Sequence, residues 1–371
     1  MFNFLNFSAF GLDISDRLIK VAQFIQNRNQ LNLFTFGSHE VPPGIINKGE
    51  IEKAEELAEI IKKTLAETQP YPIKSKYAVC CLPESKCFIR LVKLPQMNPS
   101  EIAEAAGWEA EEQFPLKKEE MYLDWQILKP IEESDLKRQT KEESKKSSST
   151  DILLVAASKK SVDSYLATFD KTGLVPVVLE PESIAIIRSL INQKKNLGAV
   201  MIIDLGQERT GFIIYKEPAI KFTSDIPISG NLLTKAVAKE FKVSFKEAEK
   251  IKIDCGLNKT KKNGRVIKAI LPYLSQLAKK IDQSLAYYYS EHFDSLDKSR
   301  AVSKIILCGG GANLKGLSVF LSLQLKREVE IGNPCINFIK PQLKKLPSIS
   351  HSKSLAYVTA FGLALRGIQN Y

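Results

Sequence analysis

The sequence predicts an α/β protein built as two lobes, and three observations predict it. Short apolar strand-like runs alternate with amphipathic helical stretches over 371 residues, a length that suggests two to three domains. An apolar run ending in Asp13-Ile14-Ser15, a turn and a second apolar run open the chain, and the same pattern returns as Asp204-Leu205-Gly206 followed by 210–215. A further apolar run at 304–308 leads straight into Gly309-Gly310-Gly311.

Each element has its own justification. Residues 9–14 and 18–24 read as strands joined by a tight turn, with a third strand at 31–36. At 53–65, Ala54, Leu57, Ala58, Ile61 and Leu65 fall on one face at spacings of three and four, so a helix is expected. Strands are expected at 77–82 and 88–94. A helix then begins at Asn98-Pro99, a capping residue followed by proline in the first turn, and ends near Phe114. Strands at 121–128 and 151–157 flank a lysine-, glutamate- and serine-rich stretch at 131–150, read as a mobile loop because it has too few apolar residues to offset its ordering entropy. Helix 161–171, strand 175–179 and helix 183–192 lead to the main division. Beyond it come strands 199–204 and 210–215, and a helix opened by the Ser244-to-Glu247 capping box. Helix 271–293 carries Leu274, Leu277, Ile281, Leu285 and Tyr288 as its apolar stripe. Strand 304–308 and helices 317–325 and 354–368 follow.

The expected organisation is lobe 1 over 1–195, with core 1–83 and 178–195 and an inserted subdomain at about 84–177. Lobe 2 covers 196–350, with core 196–230 and 300–350 and a subdomain at about 231–299. Residues 351–371 form a C-terminal helix returning to lobe 1.

Composition excludes several classes. With 44% hydrophobic and 26% charged residues, wholesale disorder, collagen-like and disulfide-rich scaffolds are out. No apolar run approaches the roughly 20 residues of a membrane span, and the first ten residues lack the basic start and cleavage site of a signal peptide. The net charge of +11 favours anionic surfaces without choosing among them. The six cysteines form no CxxC pair and only three histidines occur, which argues against zinc. Cys80, Cys81 and Cys308 sit in apolar runs as small hydrophobes, consistent with a reducing cytosol.

The repeat carries the chemistry. Two hairpins facing each other can wrap backbone amides around phosphates, and Asp13 and Asp204, each ending a first strand, can hold hydrated Mg2+ between them. Taken singly, an aspartate at a strand end is an ordinary turn former. Gly309, Gly310 and Gly311, followed by Ala312, permit close approach of a flat ligand. Glu249 and Lys252, three apart on one helix, can bond ribose and purine, or simply form an exposed ion pair. Glu180, before Pro181, is expected to point into the cleft and position water or metal, or else to start a helix.

These elements, in this order, resemble the actin-like ATPase superfamily, whose fold is ribonuclease H-like and two-lobed. Within it the chain resembles the PilM family of type IV pilus assembly proteins, relatives of FtsA. The resemblance rests on Gly11-Leu12-Asp13-Ile14, Trp108-Glu109-Ala110-Glu111, 153–159, 173–176, Glu180-Pro181-Glu182-Ser183, 226–230, 248–252, 309–316 and 360–364. It implies an actin-like fold with an inserted α+β subdomain in lobe 1, and ATP with Mg2+ between the lobes. Asp13, Ser15, Asp16, Arg17, Lys20, Asp204, Gly206, Gln207 and Thr210 would form the phosphate loops. It further implies a cytoplasmic protein, peripheral at the inner face of the membrane, that grips the cytoplasmic N-terminal tail of PilN in a groove between the lobe 1 core and the inserted subdomain. Other pilus platform proteins and motor ATPases would be its wider partners, and homo-oligomerisation is left open. The first phosphate loop departs from the family pattern. Ser15 stands where glycine is usual, and Asp16 brings negative charge that Arg17 could offset. Nucleotide binding with slow or absent hydrolysis is therefore expected.

Three alternatives compete. An FtsA-like filament protein would carry a C-terminal membrane-targeting helix beyond a linker, and the chain stops at Tyr371 directly after helix 354–368. A small-molecule kinase needs a sugar motif that is missing. Nucleic-acid binding would rest on the lysines of 258–268, which lack interleaved aromatics; no nucleic-acid partner is expected.

Overall fold

The structure is a computed structural model that describes residues 9–27, 30–95, 97–128, 149–192, 198–292, 301–338 and 349–368. Most of the loop expected at 131–150 lies outside the described residues.

Two five-stranded sheets with the same topology form the frame. In the first, β1 (Phe10–Ile14), β2 (Leu18–Asn27) and β3 (Gln30–Glu40) make an antiparallel meander. The two-residue strands β4 (Ile46–Asn47) and β5 (Glu50–Ile51) form a small ribbon after it. Then β6 (Tyr77–Leu82) adds parallel to β1, and β10 (Val175–Pro181) parallel to β6. The order is β10-β6-β1-β2-β3. In the second sheet, β11 (Ala199–Leu205), β12 (Thr210–Lys216) and β13 (Ala219–Ile226) form the meander, with β14 (Val302–Cys308) and β15 (Val329–Ile331) added in parallel. The order β13-β12-β11-β14-β15 repeats the first. The weak sequence repeat is thus one sheet built twice, the architecture of an actin-like fold.

Strands buried on both faces explain the unbroken apolar runs. On one face of the first sheet, Leu12, Val21 and Cys80 meet Leu57 and Ile61 of α1 (Ala54–Ala66) and Tyr165 of α3 (Lys159–Thr172). On the other face, Val79 and Cys81 meet Ala185 of α4 (Glu182–Leu190) and Leu363 of α9 (Val358–Arg366). Helix α4 also packs Ile186, Ile187 and Leu190 onto the second sheet, against Val200, Ile202 and Ile306. One helix is therefore shared by both sheets. Contact at this crossing is backbone-close: a Cβ on Gly362 would lie 1.8 Å from the Ala185 carbonyl oxygen.

Between β6 and β10 the chain leaves the frame for a three-stranded antiparallel sheet, β7 (Cys87–Pro95), β9 (Ser149–Ser158) and β8 (Met121–Ile127), in the order β7-β9-β8. Helix α2 (Pro99–Gln113) covers it with Ile102, Ala106 and Ala110. Asn98 opens α2, its amide donating to the Glu101 carboxylate at 2.7 Å. In the second half, α5 (Gly230–Phe241), α6 (Phe245–Cys255), α7 (Arg265–His292) and α8 (Leu317–Leu325) bury one face of the second sheet. Helix α7 begins six residues before the expected start, so Pro272 lies inside it. Buried Val266 and Ile270 extend the apolar stripe toward the N-terminus, and this burial outweighs the hydrogen bond that proline removes. The expected helix 354–368 is interrupted: a one-turn helix His351–Ser354 and a tight turn Leu355–Tyr357 precede α9.

Candidate functional site

A cavity of about 1070 Å3 lies between the sheets, where the two hairpin turns face each other. Its walls include Asp13, Ser15, Asp16, Arg17 and Lys20 from one hairpin and Asp204, Gly206 and Gln207 from the other. Glu249 and Lys252 of α6 and the run Gly309 to Gly311 complete the expected set that faces it.

Local sequence explains each position. Asp13, next to the last residue of β1, lies opposite Lys20 in the antiparallel register, so their side chains share a face. The Lys20 ammonium donates to Asp13 Oδ2 at 2.9 Å, with the lysine 16% and the aspartate 5% exposed. Burial opposes the charge of Lys20, but Asp13 and Asp204 outweigh it and its pKa rises. Asp204 is pushed up by burial, with Asp13 adding to the effect and Lys20 opposing it. Ser15 closes the turn, its hydroxyl donating to the Leu18 carbonyl at 2.8 Å. Asp16 accepts from the Lys48 and Gly49 amides at 3.0 and 2.8 Å, so its carboxylate is tied to the β4–β5 ribbon.

Two guanidinium–carboxylate bridges cross the cleft. Arg17 Nε donates to Glu208 Oε1 at 3.3 Å, while Arg17 Nη1 is buried without a partner. Arg209 grips both oxygens of Glu182 at 2.8 and 2.7 Å. Burial pushes the Glu182 carboxyl up to about 7, with Arg209 opposing and Asp13 and Glu84 assisting. Glu84, itself raised by burial, accepts from the Ser183 amide and hydroxyl at 3.1 and 3.0 Å at the start of α4. Donor atoms of Asp13, Cys81 and Glu182 lie within 4.8 Å of one another. The two carboxylates suit a hard divalent cation. The Cys81 thiol does not, because burial and Asp13 hold its pKa well above the ordinary value.

Some expected residues are elsewhere. Glu180 does not point into the cleft. It pairs in register with Cys81, on the face of β10 that meets α4 and α9. There Arg188 takes both its oxygens, at 2.5 and 2.8 Å, and also donates to the Gly362 carbonyl at 3.0 Å. Glu182, two residues on, faces the cavity instead. Its place in the first turn of α4, where a carboxylate meets the helix dipole, was the available signal. Thr210 is buried and its hydroxyl donates to the Ile228 carbonyl at 2.5 Å; Ala312 is buried behind the glycine run. Lys252 spends its three protons on the Gly230 carbonyl, Thr234 Oγ1 and Glu249. That leaves Glu249, 38% exposed, as the open member of the pair. The glycines have a packing role too. A Cβ on Gly309 would meet Asp204 Oδ1 at 2.3 Å, and one on Gly311 the Leu205 side chain at 2.0 Å. Arg209, Glu84 and Glu208 were missed, because pairs made across a cleft leave no local pattern.

Comparison with known proteins decides the family. The profile of the type IV pilus assembly protein PilM family matches residues 11–368. This chain belongs to that family. A solved PilM-PilN type IV pilus biogenesis complex is similar over 99% of this chain and 100% of that one, at 25% identity and a TM-score of 0.78. MreB5 of Spiroplasma citri bound to AMPPNP shares the fold at 12% identity and a TM-score of 0.51, over 96% and 94% of the two chains. Cell division protein FtsA of Buchnera aphidicola is 24% identical over 166 residues, 39% of this chain and 40% of FtsA. The match thus spans well under half of that relative. Among the described residues no helix is long and apolar enough to cross a membrane.

Proposed function

We propose that this protein is an ATP-binding cytoplasmic scaffold of the type IV pilus inner-membrane platform, peripheral to the membrane and gripping the cytoplasmic N-terminal tail of PilN. Membership in the PilM family supports the pilus role. The tail-binding half draws on the likeness to a PilM-PilN complex along the whole chain, and the groove proposed for it lies between the lobe 1 core and the inserted subdomain. The nucleotide half draws on a fold shared with an MreB5 bound to AMPPNP.

The observation that carries the nucleotide half is the cavity closed by two hairpins of identical topology, each first strand carrying an aspartate next to its last residue. The residues fit the ligand. The orphaned Arg17 Nη1 is a buried donor on the cavity wall that a phosphate oxygen would satisfy. Lys20 would sit beside the same phosphates, and Asp13, Asp204 and Glu182 would face Mg2+. Bound there, the ion supplies neutralisation of polyphosphate charge. Hydrolysis is slow or absent in this reading, because the first phosphate loop carries Ser15 where glycine is usual and Asp16 adds negative charge there.

The test is a thermal-shift titration together with calorimetry on a synthetic PilN-tail peptide. At a hundredfold excess over Kd, a ligand adds about 2.7 kcal/mol. With about 0.8 kcal/mol/K of unfolding entropy for a chain this long, that is a rise of about 3 °C. Mg-ATP should give it, and ATP with EDTA should give far less. No rise with Mg-ATP removes the nucleotide half, and no heat with the peptide removes the tail half.

A further inference from the structure

Helix α2 presents an outer face that no described element covers. Its inner face, Ile102, Ala106 and Ala110, is buried on the three-stranded sheet. Outward it carries Glu101 and, three, seven, ten and eleven residues on, Glu104, Trp108, Glu111 and Glu112. At 3.6 residues per turn these five form one stripe. Trp108 is 74% exposed, the most exposed large hydrophobic side chain among the described residues. Helix α2 holds five glutamates and no lysine, arginine or histidine, in a chain of net charge +11. Among the described residues no ion pair reaches Glu104, Glu111 or Glu112, and Glu101 is occupied only by the Asn98 amide. Lys117 and Lys118 flank the helix, and the Lys118 ammonium lies 3.9 Å from where a Cβ on Gly107 would stand.

This arrangement works against the helix as an isolated object. Like charges one turn apart cost a few tenths of a kcal/mol each, and a bare indole forgoes about 2 to 3 kcal/mol of burial. A cationic partner would relieve both. Ammonium and guanidinium groups pair with the carboxylates, and their methylene stems or charged heads lie on the indole face. Tryptophan at the centre of a charged rim is the composition of a binding hot spot.

We propose that the Glu101–Trp108–Glu112 face of α2 docks a basic amphipathic segment of another protein. Charge complementarity selects that occupant. Anionic lipid and nucleic acid are repelled by four carboxylates. The chain's own basic stretch near 258–268 is a poorer match, because Lys261 is paired with Asp254, and Arg265 with Glu240 and the Phe241 ring. The surface is separate from the inter-lobe cavity, so it does not depend on nucleotide binding.

The test uses the full chain carrying W125F, which leaves Trp108 as the sole tryptophan. The probe is a 16-residue Lys/Leu amphipathic peptide, with its Glu/Leu counterpart as control. The basic peptide should shift Trp108 emission to the blue, with a Kd that weakens as salt rises, and the acidic peptide should not. By fluorescence anisotropy of labelled peptide, W108A and E104K/E111K/E112K should each weaken binding at least tenfold. Both sets of changes lie on exposed positions and should leave the melting temperature within about 1 °C. The proposal is overturned if either variant binds within twofold of the parent. It is also overturned if light scattering shows the parent to be a dimer that the charge-reversed variant dissolves, which would make the occupant a second copy.

Discussion

Removing the Glu180 carboxylate tests most directly whether this residue holds the frame together or serves the cavity. The Glu180–Arg188 pair is bidentate and enclosed, with side chains 8% and 13% exposed. In E180A the guanidinium stays buried with one described acceptor, the Gly362 carbonyl. Breaking such a pair from one side costs about 3 to 5 kcal/mol. If the chain unfolds as one unit, its unfolding entropy is about 0.8 kcal/mol/K, so the melting temperature should fall by about 4 to 6 °C. E180L/R188L, which removes both charges and refills the space, should recover most of that loss. The assay is differential scanning fluorimetry with and without Mg-ATP. The increment given by Mg-ATP should be the same in parent and E180A, because Glu180 faces α4 and α9 rather than the cavity. An unchanged melting temperature with the Mg-ATP increment abolished would refute the reasoning and return Glu180 to the cleft.

Two further outcomes follow from the same packing. Glu182 has a folded pKa of about 7 against an ordinary 4.5. The folded chain therefore holds a proton that the unfolded chain has released, and stability falls as pH rises from about 4.5 to about 7, by up to about 3 kcal/mol. E182Q removes this slope, so urea melts of parent and E182Q should diverge across that window with the parent losing ground as pH rises; parallel curves would contradict it. G362A would place a methyl 1.8 Å from the Ala185 carbonyl oxygen and force α9 off α4. It should cost about 1 to 3 kcal/mol or more, read as a fall in melting temperature, and a melt identical to the parent's would show that the crossing is looser than the backbone indicates.

Much of the frame was readable because its strands are buried on both faces. The 77–82 run coincides with β6 and the 317–325 helix with α8. What escaped was polar or punctuated. Strand β13, AIKFTSDI, mixes lysine, serine and aspartate into its run because it forms the outer edge of its sheet. Helix α5 begins at Gly230, a poor helix former, because the Ser229 hydroxyl accepts from the Leu232 amide and caps its start. Within the site, Asp13 with Lys20 and the second aspartate were visible as strand-end patterns. The choice between Glu180 and Glu182 was not. It turns on which side of the β10 pleat meets α9 and on an arginine eight residues away, both set by tertiary packing.

Under the proposed nucleotide reading, the charges of the cavity decide which form of nucleotide it would admit. Nine acidic residues line it, among them Asp13, Glu84, Glu182 and Asp204, against seven basic ones, among them Arg17, Lys20 and Arg209. Burial raises the carboxyls of Glu84, Glu182 and Asp204, so carrying a negative charge at these positions is already unfavourable. A bare triphosphate would add several more negative charges within a few ångströms of these groups. At 4 Å and an effective dielectric constant of 20, each such encounter costs about 4 kcal/mol, more than one unsatisfied Arg17 nitrogen can return. In the proposed reading, a divalent ion held by the Asp13 and Glu182 carboxylates would supply the compensating positive charge. On that reading, the comparison of Mg-ATP with ATP in EDTA separates a cation-dependent nucleotide site from hairpins that merely pack the two sheets together.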